Sequence, residues 1–183
     1  MKNKLLIAGR TGIVCALALI NALATNAGAQ SRGATQADIA ALLAEIDALK
    51  RVVPSQSHAM MDVDYHFSSL WFAAQNANWP LAAFYLNETQ SHLNWAVRIR
   101  PVRKLSNGQA FELQPMLQGI ENSSLAQLKT AIDRKDPRAF ETAYRQGITE
   151  CHACHTRAEK PYLRPHIPEA PAARMIDMKP NAN

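Results

Sequence analysis

Glycine is scarce in this chain, with seven among 183 residues, at positions 9, 12, 28, 33, 108, 119 and 147. They form no Gly-rich loop, so a nucleotide-binding fold built on backbone cradling of phosphate is excluded. The regular turn signals of an all-β protein are missing too. No apolar run reaches the ~20 residues of a membrane-spanning helix. Cysteine occurs three times, and no Ser-His-Asp order or paired-carboxylate motif stands out. What is present is 48% hydrophobic residues, enough for a core and too many for wholesale disorder.

Residues 1–29 read as a secretory signal peptide. Lys2, Lys4 and Arg10 give a positive start, Ile13 to Ala24 is an apolar stretch, and Ala27-Gly28-Ala29 is a small-residue cleavage site. Cys15 lies within the apolar stretch behind Gly12-Ile13-Val14, a poor lipidation signal. Cleavage after Ala29 removes three basic residues and no acidic ones, so the net charge falls from +5 to +2. The basic balance of the whole chain therefore carries no argument for nucleic acid. The expectation is a periplasmic protein with no membrane span in its mature chain. Its remaining cysteines, Cys151 and Cys154, need an explanation in an oxidising compartment.

The rest of the chain reads as helix. Residues 36–53 form an N-terminal amphipathic helix with Ile39, Leu42, Ile46, Leu49 and Val53 at heptad spacing. This pattern, with Glu45 and Lys50 at flanking positions, predicts either a homodimer through a parallel coiled coil or a helix packed on its own domain. Residues 57–160 read as a helical bundle. The expected helices are Ser57–Ala77, one starting at Pro80 and ending near Pro101 or Leu105, Ala110–Arg134 interrupted near Pro115 and Gly119, and a last one capped by Asp136-Pro137. Short turns between helices of similar length predict an all-α, up-down-up-down four-helix bundle. Residues 161–183 form a Pro-rich tail, expected to be extended and partly disordered. Trp71, Trp79 and Trp95 read as core packing.

Cys151-His152-Ala153-Cys154-His155 is the pattern by which haem c is attached covalently. Two thiols add to the two vinyl groups, and the adjoining imidazole becomes an axial iron ligand. Positions i, i+3 and i+4 share one helical face, here the face of Phe140, Tyr144 and Ile148. A structural disulfide, a redox-active dithiol and a zinc site are the competing readings. The dithiol normally follows a strand, and zinc would need two further ligands at comparable spacing.

One such motif in the last helix of an exported helical protein resembles the class II c-type cytochromes, the cytochrome c-prime group. The resemblance spans about Ser57 to Lys160 and leaves the N-terminal helix and the tail outside it. It implies Cys151 and Cys154 as thioether attachments of one haem c, and His155 as iron ligand. In an up-down-up-down bundle the motif lies beside the start of the first helix. Met60 is then the first candidate for a sixth ligand and Met61 the second, with an open position or a histidine as alternatives. Arg98 and Arg103 are candidate contacts to the haem propionates. Asp62 with His66, and Glu88 with His92, are i,i+4 pairs at similar depth; they fit either a second metal site or ordinary hydrogen-bonded histidines. The expected function is single-electron transfer with a redox partner protein, rather than enzyme catalysis. The alternative is binding or sensing of a small gas at an open distal site. A peroxidase would need a distal acid–base group, for which His66 is a faint candidate.

Overall fold

The structure is a computed structural model and describes residues 33–180. The expected signal peptide at 1–29 lies outside the described residues. Two units divide the chain after Val52.

In the first unit, α1 spans Gln36–Val52. Thr35 and Asp38 close its N-terminus reciprocally: the Thr35 amide and hydroxyl both donate to the Asp38 carboxylate, and the Asp38 amide donates back to the hydroxyl at 3.2 Å. The heptad residues are exposed, from 41% at Ile39 to 63% at Leu49. Lys50 pairs with Asp47 in its own chain at 3.2 Å.

The second unit is all-α apart from one small hairpin. α2 (Gln56–Gln75) starts at Ser55, whose side chain accepts the His58 amide, and α3 (Trp79–Ile99) starts at Asn78, which accepts the Leu81 amide. The connection is tight, with Ala77 at φ 55°, and the α2–α3 hairpin makes the most extensive helix contact among the described residues. α3 ends at Ile99 because Pro101 has no amide hydrogen with which to continue the ladder.

The sequence reading placed helix from Ala110. Instead β1 (Val102–Lys104) and β2 (Ala110–Glu112) pair antiparallel, Arg103 opposite Phe111, around a loop in which Gly108 takes φ 84°. A side chain there would strain the turn. The expected fourth helix begins at Leu113 as α4 (Leu113–Ile120) and passes through a π turn at Glu121–Leu125 into α5 (Ala126–Asp133). Pro115 sits in the first turn of α4, where amides lack intrahelical partners in any case, so the interruption falls beyond both Pro115 and Gly119. α6 (Pro137–Arg157) starts from Asp136, which accepts the amides of Arg138 and Ala139 at 3.0 Å.

The core gathers Phe67, Leu70, Tyr85, Leu86, Leu125, Leu128, Phe140 and Tyr144. The Tyr144 ring stacks on Phe67 at 4.3 Å, and its hydroxyl donates to the Phe67 carbonyl at 2.9 Å. Trp71 and Trp79 pack against this core, but Trp95 is 40% exposed. The tail has neither helix nor strand, yet it buries Ala173 and Met178 in the same core. The Lys179 carbonyl accepts from the Asn78 side chain at 3.1 Å.

Candidate functional site

The motif occupies the last turns of α6. Gly147 is buried, and a Cβ there would meet Phe67 at 3.2 Å, so the helix approaches α2 closely one turn before Cys151. Cys151 and Cys154 are free thiols and half-buried, and Cys154 packs against the core. Both continue the face that buries Phe140, Ala143 and Tyr144. Burial pushes the Cys151 thiol up to about 12, with the neighbouring Cys154 and Glu150 adding to the effect. Burial also raises the Cys154 thiol, and the Arg103 guanidinium partly opposes it.

His155 is oriented by the tail. Its Nδ1 lies 2.8 Å from the Leu163 carbonyl, which can only accept, so Nδ1 donates and in the neutral ring the lone pair is on Nε2. His152 is held similarly, Nε2 to the Pro161 carbonyl at 3.1 Å. The residues after α6 thus fold back along the motif. Positive φ at Glu159 makes the reversal, and the Glu159 carboxylate receives the Ser106 amide and hydroxyl from the hairpin loop. Arg157 lies over the Phe111 ring at 5.7 Å.

Glu150, just before the motif, is fixed by three side chains. Ser123 and Ser124 on the π turn donate to its two carboxylate oxygens, and Gln146 donates at 2.9 Å. Burial alone would raise its pKa, but these hydrogen bonds outweigh it and hold the carboxyl below the usual glutamate range.

α2 and α6 run antiparallel where they touch, since Phe140 meets Trp71 while Tyr144 meets both Trp71 and Phe67. With Tyr144 level with Phe67 and equal rise on both helices, Cys151 comes level with Met60. Met60 is half-buried, and Met61 is 63% exposed. Arg103 on β1 is half-buried beside Cys154 and donates to the Gln56 side chain at the start of α2. Arg98 is exposed on α3. The groove lined by Leu105, Phe111, Ala153 and Thr156 lies on the face of α6 away from the thiols.

The donor set fits haem c: two free thiols on one face, followed by an imidazole whose neutral form presents Nε2 as the open nitrogen. The structure also shows two features with no strong sequence signal, the hairpin that brings Arg103 to Cys154 and the tail carbonyl that orients His155. A separate group, His66, Glu88 and His92, comes together on the α2–α3 hairpin. No family model, curated protein or solved structure matches the chain.

Proposed function

We propose that this chain is an exported monohaem c-type cytochrome that carries single electrons between redox partner proteins. The observation that carries this reading is the Cys151–Cys154–His155 face of α6, with the Nε2 lone pair of His155 set by the Leu163 carbonyl. A haem held there supplies a one-electron Fe(III)/Fe(II) couple. Cys151 and Cys154 provide the sulfurs of the two thioether bonds. His155 would offer a ring nitrogen to the haem iron, and the tail holds that ring against rotation. Met60 would offer a sulfur, from its level on α2 opposite Cys151. Arg103 supplies a positive charge near Cys154, suited to a propionate.

The reading includes an up-down-up-down four-helix bundle of α2, α3, the α4–α5 segment and α6, like that of the class II cytochromes. Its support is the cycle of contacts, α2 with α3, α3 with α4 and α5, α5 with α6, and α6 with α2.

The test is covalent attachment. Mature protein from a host with haem-maturation machinery should keep its haem on a denaturing gel, and the double variant Cys151→Ala/Cys154→Ala should carry none. Haem loss from the wild-type chain under those conditions overturns the reading. Met60→Ala should convert a low-spin absorption spectrum to a high-spin one; an unchanged spectrum assigns Met60 to packing alone.

A further inference from the structure

α2 and α3 each carry a carboxylate and a histidine four residues apart, Asp62 with His66 and Glu88 with His92. The hairpin brings both pairs to one level. The two imidazole centroids are 4.8 Å apart, and one ligand atom each from His66, Glu88 and His92 lies within 4.8 Å of the other two.

Hydrogen bonding decides what these nitrogens offer. His92 Nδ1 lies 2.9 Å from the Glu88 carbonyl, so it donates, and in the neutral ring Nε2 is a lone pair. That lone pair faces the Asp62 carboxylate at 3.8 Å, acceptor against acceptor. His66 Nδ1 is buried and has no hydrogen-bond partner among the described residues. Native structures rarely leave such a group unmatched, because its lost hydration is not repaid. Protonating both rings would place two positive charges side by side. Burial disfavours the cationic form of His66 and His92 adds to this, while Glu88 and Asp62 act in the opposite sense. Neutral imidazole is the form that binds metal.

We propose that His66, Glu88 and His92 form a binding site for one divalent transition-metal cation of borderline softness, with zinc the best match, and that Asp62 is the fourth donor. Two imidazoles and two carboxylates satisfy tetrahedral zinc and cancel its charge. The carboxylates are the more open side, with Asp62 51% and Glu88 36% exposed at their side chains, so a cation has a path from solvent. Behind the rings stand Tyr65, Tyr85 and Trp95, each with its ring centroid within 6.1 Å of a histidine's. The Glu88 carbonyl holds the His92 ring in the ligating tautomer. Phe67, one residue from His66, points to α6, so this site lies on a different face of α2 from the Cys-His motif.

Mature protein, stripped with a chelator and dialysed, is titrated with zinc chloride by calorimetry and assayed for zinc per chain. The expected result is one zinc per chain with micromolar or tighter affinity, and a rise in melting temperature. His66→Gln and His92→Gln should each weaken binding by 100-fold or more, and Glu88→Gln, nearer the surface, by about 10-fold. Far-UV circular dichroism shows that each variant is folded, and Glu88→Gln keeps the test decisive if a histidine variant is not. Binding no tighter than millimolar, or binding undiminished in the folded variants, overturns the proposal. The same titration is run on the Cys151→Ser/Cys154→Ser variant, so that zinc taken up by those thiols is not counted.

Discussion

Glu150 shows how single residues tune the region before the motif. Its carboxyl is held below the usual glutamate range in the folded chain, because the hydrogen bonds of Ser124, Gln146 and Ser123 exceed the effect of burial. A group with a depressed folded pKa contributes stability above its unfolded value and loses it as pH falls through the folded one. Glu150→Gln should therefore destabilise the protein near neutral pH, by about 1 kcal/mol after allowance for solvent screening. The gap to wild type should close as pH falls below the unfolded value near 4.5. Urea denaturation at a series of pH values measures this, and a constant gap would count against it. Gly147 is the other sensitive residue. An added methyl would gain about 1 kcal/mol of helix propensity. It would also press on Phe67 at 3.2 Å, and that ring is stacked on Tyr144 and cannot yield freely. Overpacking costs about 1–3 kcal/mol, so Gly147→Ala should lower stability by about 1 kcal/mol, read from the denaturant midpoint.

At the scale of elements, caps made the long helices legible. Pro80 and Asp136 with Pro137 mark in the sequence where α3 and α6 begin, the Ser55 cap of α2 has no such proline beside it on the helix side, and the apolar stripe of α6 led directly to Cys151. The hairpin was not legible, because strands of three residues hold too few positions to establish alternation, and only Phe111 in them is buried. The π turn has no composition of its own; its effect is seen only when Ser123 and Ser124 reach one carboxylate. The stripe of α1 was legible as a heptad pattern, and none of its residues is buried. Its charges are less available than the pattern suggests, since Lys50 already pairs with Asp47. A helix of 17 residues is marginal alone. If the stripe pairs between chains, sedimentation should show a dimer that becomes a monomer when residues 34–54 are deleted, with the absorption spectrum intact. A monomer in both forms ends the dimer idea.

At the scale of the whole molecule, the tail is the part that composition concealed. Ala173 and Met178 are isolated apolar residues among prolines, and no periodicity announces them, yet both are core. The tail starts beside the motif and reaches the α2–α3 turn at Asn78, covering the length of α6, about 30 Å. Ending the chain after Glu169 should cost about 2 kcal/mol through loss of the buried Met178 side chain alone, measured by urea unfolding. The same strap has a meaning in time. It is synthesised after α6, and once it lies down the His155 ring is fixed. Burial raises the Cys151 thiol, so little of it is reactive thiolate at neutral pH once the chain is folded. Sulfur chemistry at Cys151 is therefore easier in a chain that is still open. If the proposed haem attachment holds, a molecule that folds first has closed the door on it.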